Sequence, residues 1–268
     1  MIDAAQLAGA GLRNDFLAVS SLDVRHKIDL SDPVSAADLR SEATLREALA
    51  AVGPDYGFLG EEGGLVRGND ETHMWIVDPL DGTFNFLCGL EQFAVNVALA
   101  RNGEVIAGVT HVPMLGETFW AERGSGAWLN GRPIAVSKRQ RLIQAMLGVG
   151  IPYASKPRHR QFIAEMERLT TQVSGIRRFG AGAIDMAYVA CGRFDAYWEQ
   201  TVSAWDMAAG VVLVEEAGGV VTDTLGRPID LMGGTVLAST SQLHGELLQA
   251  LAPVDADGAT SIGAATSI

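Results

Sequence analysis

Apolar positions divide the chain into two halves with different periods. Leu12, Phe16 and Val19 recur at helical spacing, as do Leu39, Leu45 and Leu49 within residues 37–51, so two helices are expected to open the chain. An apolar stretch then runs into Gly57-Phe-Leu-Gly-Glu-Glu-Gly-Gly64, a strand end followed by an acidic, glycine-rich loop. His73-Met-Trp-Ile-Val77 predicts a short strand that delivers Asp78 to a sheet edge. Residues 93–101 and 105–112 bracket Asn102-Gly103, a hairpin signal, and residues 118–121 and 126–129 continue the meander to a turn at Asn130-Gly131. The first half therefore reads as helices followed by an antiparallel-looking sheet.

The second half alternates. Strands are expected at 145–149, 175–178, 194–199 and 236–239, and helices at 158–172, 183–191, 204–217 and 242–251. This is a βαβ-type pattern, a sheet covered by helices. No repeat and no Ser/Gly linker interrupts it, so residues 1–252 are expected to pack as one unit, with halves at about 1–140 and 141–252. Residues 253–268, rich in Ala, Gly, Ser and Thr, are expected to form a loose tail.

Composition narrows the function classes. The 268 residues are 48% hydrophobic and 19% charged, an ordinary globular enzyme composition. A formal net charge of −12 argues against a general nucleic-acid binder, which needs clustered Lys and Arg. The first residues lack a signal-peptide pattern and no apolar run is long enough to span a membrane, so a cytoplasmic protein is expected. Cys88 and Cys191 have no Cys or His partners nearby and read as small buried hydrophobes.

The candidate chemistry is acidic. In Trp75-Ile-Val-Asp78-Pro79-Leu80-Asp81-Gly82-Thr83-Phe84-Asn85-Phe86, two carboxylates with the Leu80 carbonyl between them can converge on hard cations, and Gly82-Thr83 offers N–H groups and a hydroxyl to a phosphate. The same residues also read as two solvated turns, Asp-Pro and Asp-Gly. Gly60-Glu61-Glu62-Gly63 places adjacent carboxylates where a nearby cation would relieve them, or else forms an exposed loop. Asp206, in Ala204-Trp-Asp-Met-Ala-Ala-Gly210, and Asp38, in Ser35-Ala-Ala-Asp38, each read as a helix cap when taken alone. Lys27 taken alone is a solvated charge. The five histidines lie in none of these blocks.

In combination, the Gly-Glu-Glu loop, the Asp-Pro-Leu-Asp-Gly-Thr turn and Trp205-Asp206 occur in the order and approximate spacing of the inositol monophosphatase family. The resemblance continues through Gly175-Ile-Arg-Arg-Phe-Gly180, Phe194-Asp-Ala-Tyr-Trp-Glu199 and Glu215-Glu-Ala-Gly-Gly219, covering roughly residues 25 to 250. It implies a layered α-β-α-β-α sandwich, assembled as a homodimer. It implies two or three Mg²⁺ ions held by Glu61, Asp78, the Leu80 carbonyl, Asp81 and Asp206, with Glu61 and Thr83 positioning the attacking water. Asp38 matches an acid near that water, and Lys27 a nearby basic position. Gly82 and Thr83 would meet the phosphate, while Asp81, Gly182, Glu199 and Asp206 would face the substrate.

The implied reaction is hydrolysis of a small phosphorylated polyol or amino alcohol, with inositol 1-phosphate first and inhibition by lithium. Ala181-Gly182 stands where the animal inositol enzymes usually carry Thr-Ala, and Gly150-Ile-Pro-Tyr-Ala-Ser-Lys-Pro157 replaces a Ser-rich stretch, which leaves other substrates open. Those are histidinol phosphate, fructose 1,6-bisphosphate and bisphosphonucleotides. A reading of a different class is a regulatory binding protein that keeps the fold, as some bacterial relatives touch the transcription machinery.

Overall fold

The computed structural model describes residues 1–18, 36–154 and 156–253, with the backbone alone of 24–26 and 33–35. Helices α1 (Ile2–Phe16) and α2 (Ala36–Ala50) are separated by the paired strands β1 (Val24–His26) and β2 (Pro33–Ser35). Then come β3 (Tyr56–Gly60), β4 (Gly64–Val66), β5 (Asp70–Asp81), the one-turn α3 (Thr83–Leu87), β6 (Ala94–Arg101) and β7 (Glu104–Val112). Strands β8 (Glu117–Glu122), β9 (Ala127–Leu129) and β10 (Arg132–Ile134) complete the first half. The second half is β11 (Met146–Val149), α4 (His159–Thr170), β12 (Gly175–Arg177), α5 (Gly182–Ala190), β13 (Ala196–Val202), α6 (Ala204–Glu216), β14 (Gly219–Thr222), β15 (Gly234–Thr240) and α7 (His244–Ala250).

Two sheets organise these elements, in the orders β10-β9-β8-β7-β6-β5-β3-β4 and β12-β11-β13-β15-β14. Alternation along their central strands builds the layers. On β5, Trp75 and Val77 join Ala5, Leu12, Leu45 and Leu49 of α1 and α2, while Ile76 turns to the opposite face and packs with α5 and α6. On β13, Tyr197 meets the same middle layer, while Ala196 and Trp198 join Phe162 and Leu169 of α4 and Leu247 of α7. The result is the α-β-α-β-α stack. Helix α6 is apolar on all sides because it lies between two sheets. Its close seat on the first sheet depends on Gly108, where a Cβ would stand 2.8 Å from the Cα and carbonyl of Ala209. Each large side chain buried this way contributes about 1.5–3 kcal/mol before entropy is counted.

Several expectations are corrected. Strand β5 does not end at Val77 on a sheet edge; it runs on to Asp81 between β3 and β6, so Asp78 is central and buried. The register with β6 slips between Asp78 and Asp81, where Pro79 has no N–H to give the ladder. The first sheet is not wholly antiparallel, since β3 runs parallel to β5. The second is mixed: β11 is parallel to β12 and β13, whereas β15 runs antiparallel to β13 and to the unanticipated β14. Cys88 is exposed rather than buried, because α3 ends there at the surface, and Cys191 is partly buried. Val19, Lys27 and residues 254–268 lie outside the described residues. Among the described residues no helix is long and apolar enough to cross a membrane.

Candidate active site

Strand direction puts the chemistry in one place. In the second sheet, α4 carries the chain from β11 to β12 on one side and β13 lies on the other, all three parallel. Such a switch in strand order opens a crevice at the carboxyl ends, where ligands bind in α/β sheets. Gly150 and Tyr153 follow β11, Arg178 follows β12, and Glu199 lies on β13. In the first sheet the parallel pair β3 and β5 ends at Glu61 and at Asp78–Asp81. These ends meet the starts of α5 and α6 around a pocket of about 300 Å³ lined by Glu61, Asp78, Leu80, Asp81, Thr83 and Asp206, together with Phe84, Tyr153 and Arg178.

Each acid is locally tethered. The amide of Glu61 donates to the Val77 carbonyl at 3.2 Å, and the Glu62 amide to Glu42 of α2 at 2.9 Å. Glu42 comes so close that a Cβ at Gly60 would overlap its carboxylate, which explains the glycines around the acidic loop. Asp78 Oδ1 accepts the Leu80 amide at 2.9 Å, and Ser41 donates to the Pro79 carbonyl at 2.7 Å, fixing the turn from α2. Asp81 Oδ2 accepts the Ala183 amide of α5 at 2.7 Å, a bond that joins the two halves. Gly82 has φ 93°, a left-handed conformation that suits glycine, and it turns the chain so that Thr83 can start α3. The Thr83 hydroxyl donates to buried Asp38 at 2.9 Å and lies 3.1 Å from the Leu80 carbonyl.

Asp206 closes a capping box with Ser203, its carboxylate accepting the Ser203 amide at 2.7 Å. The cap and the pocket acid are the same residue, so the two readings of Asp206 are compatible. Asn96 of β6 holds the start of α6 by donating to the Trp205 carbonyl at 2.7 Å, and Thr110 donates to Asn96 in turn at 2.7 Å.

The acids repel one another. Asp78 is held well above the usual carboxylate range by burial and then by Glu61, Asp81 and Asp206. Asp81 is raised likewise, by burial and then Asp206, against the lowering hydrogen bond from Ala183. The turn is therefore not a pair of solvated acids. A set of buried oxygens charged against one another, with no nitrogen or sulfur donor, suits a hard dication. Among the described residues no three Asp, Glu, His or Cys side chains close tightly enough to enclose an ion.

On the opposite side, Glu199 is pushed up to about 6 by burial, against the lowering effects of Tyr197, Lys156 and Arg178. The Tyr197 hydroxyl donates to Glu199. A Cβ at Gly182 would lie 2.7 Å from that hydroxyl, and one at Gly150 would overlap the Glu199 carboxylate. Glycine at these two positions, one of them in the unusual Ala181-Gly182 pair, is what leaves room for the Tyr197–Glu199 contact.

The chain matches the inositol monophosphatase family over residues 1–256. It belongs to that family. An inositol-1-monophosphatase of Caulobacter vibrioides is 47% identical over 254 residues, covering 94% of this chain and 99% of that protein. The Nus factor SuhB of Pseudomonas aeruginosa is 39% identical, covering 93% of each. The crystal structure of the extragenic suppressor protein suhB from Bartonella henselae superposes with a TM-score of 0.91 at 43% identity, over 94% of this chain and 96% of that one. As a member of the inositol monophosphatase family the chain is a phosphoric monoester hydrolase, the family is generally metal-dependent, and a phosphorylated small molecule is its class of substrate.

The structure brings Asp38, Glu61, Asp78, Leu80, Asp81, Gly82, Thr83, Gly182, Glu199 and Asp206 to this one crevice. Sequence reasoning missed Tyr153, Arg178, Tyr197, Asn96 and Asp185. A lone Asn in the apolar run Phe93-Ala-Val-Asn-Val-Ala-Leu is a usable signal for Asn96, whereas nothing local in Gly175–Gly180 assigns a role to Arg178.

Proposed function

We propose that the chain hydrolyses a small polyol phosphate, inositol 1-phosphate first, using Mg²⁺ and a directly attacking water. The observation that carries this reading is the convergence of Glu61, Asp78, the Leu80 carbonyl, Asp81 and Asp206 on the pocket that also contains Thr83. Those five positions would hold the two or three ions. Bound there, Mg²⁺ would neutralise phosphoryl charge and lower the pKa of the attacking water.

The remaining work falls to the chain. Asp38 accepts the Thr83 hydroxyl hydrogen bond, leaving the Thr83 oxygen to accept one from the water, while Glu61 accepts the proton that the water gives up. The amides of Gly82 and Thr83 face the phosphoryl oxygens. Glu199, oriented by Tyr197, accepts a hydrogen bond from the alcohol portion beside Gly182, and Asp206 faces the same group. No Ser, Cys or His serves as nucleophile in this scheme. Residues 1–252 act as one unit, paired as a homodimer in the cytoplasm.

Phosphate release from a panel of monoesters, with and without Mg²⁺, tests the reading and ranks inositol 1-phosphate against histidinol phosphate, fructose 1,6-bisphosphate and bisphosphonucleotides. A second reading draws on the relatives named Nus factor SuhB: a regulatory role carried by the same fold. A chain that releases no phosphate but binds a transcription complex would favour it.

A further inference from the structure

Behind Glu199 lies a second, smaller cavity of about 50 Å³, bounded by Asp81, Gly150, Gly182, Asp185, Tyr197 and Glu199. Asp185, on the first turn of α5, is only 1% exposed, and among the described residues its Oδ1 has no hydrogen-bond partner. A buried acid without a donor is rare in a folded protein. The backbone is also kept clear of it: a Cβ at Gly148 would stand 3.1 Å from Asp185 Oδ1 and 3.0 Å from the ring of Phe194. The cavity has room for a water or a substrate hydroxyl.

Two acceptors thus border the same recess. Glu199 already receives the Tyr197 hydroxyl on Oε2, whereas Asp185 Oδ1 has a free acceptor site. We propose that Asp185 is a specificity-determining residue, accepting a hydrogen bond from a second donor on the substrate alcohol, directly or through one water in the cavity. The substrate class that follows is an ester of an alcohol with two neighbouring donors on one face, either vicinal hydroxyls or a hydroxyl beside an ammonium. The inference rests on the phosphatase reading and extends it. Burial holds Asp185 well above the usual carboxylate range, with Asp81 and Glu199 adding to the effect and Arg178 opposing it, and a donor from the substrate would offset that penalty.

The test uses the full chain with Mg²⁺ and the variants Asp185→Ala and Asp185→Asn. Steady-state kinetics compare inositol 1-phosphate, a 2-amino-alcohol phosphate and p-nitrophenyl phosphate. For D185A, the ratio of kcat/KM for the better donor-bearing ester to that for p-nitrophenyl phosphate falls roughly tenfold or more. Metal-free Tm holds or rises in both variants, because an unpartnered buried acid is gone. D185N keeps an acceptor oxygen, so it restores an ester read through hydroxyls but not one read through an ammonium, which distinguishes the two sources.

An unchanged ratio overturns the proposal, as does a lowered Tm with equal losses on all three esters, which marks a structural residue. Should the wild type release no phosphate at all, the phosphatase reading falls by itself. Saturation-transfer NMR with myo-inositol then reads the contact directly: signal lost in D185A supports it, and signal retained overturns it.

Discussion

The two walls of the crevice are built on opposite principles. The wall from β3, β5 and α6 is a set of acids pressed together, with Glu61, Asp81 and Asp206 each raising Asp78 by repulsion. The wall from β11, β12 and β13 mixes acid with compensation: Lys156 and Arg178 oppose the upward shift of Glu199, and the Tyr197 hydroxyl satisfies it. The first wall leaves its mutual repulsion to be relieved by a proton or a cation. The second answers Glu199 from within the chain, leaves Asp185 Oδ1 open to a donor, and is shaped by the absence of side chains at Gly150 and Gly182. Charge that the protein leaves uncancelled marks where the ions are expected, and charge that it cancels marks where a neutral polyol can lie.

The sharpest way to break this comparison is to remove charge from the first wall. Asp81→Asn is expected to lower kcat for phosphate release by roughly 10³-fold, through weaker cation binding and loss of a group facing the substrate. Its metal-free Tm holds or rises, because one repelling carboxylate has gone. Near-normal turnover at low Mg²⁺ would show that the wall is not a cation site.

On the second wall, Glu199→Gln is expected to cut kcat/KM for inositol 1-phosphate roughly tenfold relative to p-nitrophenyl phosphate, a loss of ~1.4 kcal/mol. Gly150→Ala acts by another route to the same end, forcing the Glu199 carboxylate to move. Equal losses on both esters in either variant would transfer Glu199 to the cation wall. Lithium addresses the first wall again: a monovalent ion taking one cation position after turnover gives uncompetitive inhibition. Relief by excess substrate in steady-state rates at graded LiCl would contradict that order of events.

How much of this was legible in the sequence divides along the same line. The first wall was, because its acids lie in short blocks such as Asp78-Pro-Leu-Asp-Gly-Thr83, each ambiguous alone but resembling a known family in their combined order and spacing. The apolar run Trp75-Ile-Val77 likewise predicted a strand, and its side chains are buried on both faces. The second wall comes from residues 150, 153, 178, 182, 185 and 199, which only the strand order of a mixed sheet brings together. Hairpin signals fix antiparallel neighbours, but nothing local says that β12 and β13 flank β11. The overrun of β5 past Pro79 was missed for a related reason: a strand can continue through proline where its partner's register slips.

The smallest expected effect is on stability against pH. A carboxyl whose pKa is higher in the folded chain than in the unfolded one holds its proton more tightly in the native state. The metal-free fold is therefore favoured below that range and loses stability as pH rises; for Glu199 the window runs from 4.5 to about 6. Asp78 and Asp81 shift in the same direction. Metal-free Tm should fall by a few degrees as pH rises from about 4.5 toward 7, and Mg²⁺ should recover most of that loss at pH 7. A metal-free Tm that climbs over this range would mean that the acids are compensated from within the chain.

The central claim is that the acids of the first wall do their chemistry only with a dication. Phosphate release from inositol 1-phosphate, followed while Mg²⁺ is titrated into metal-stripped protein, tests it most directly. The expected result is no release without Mg²⁺ and a saturable rise as it is added. Release that is undiminished by stripping and indifferent to Mg²⁺ would contradict the account.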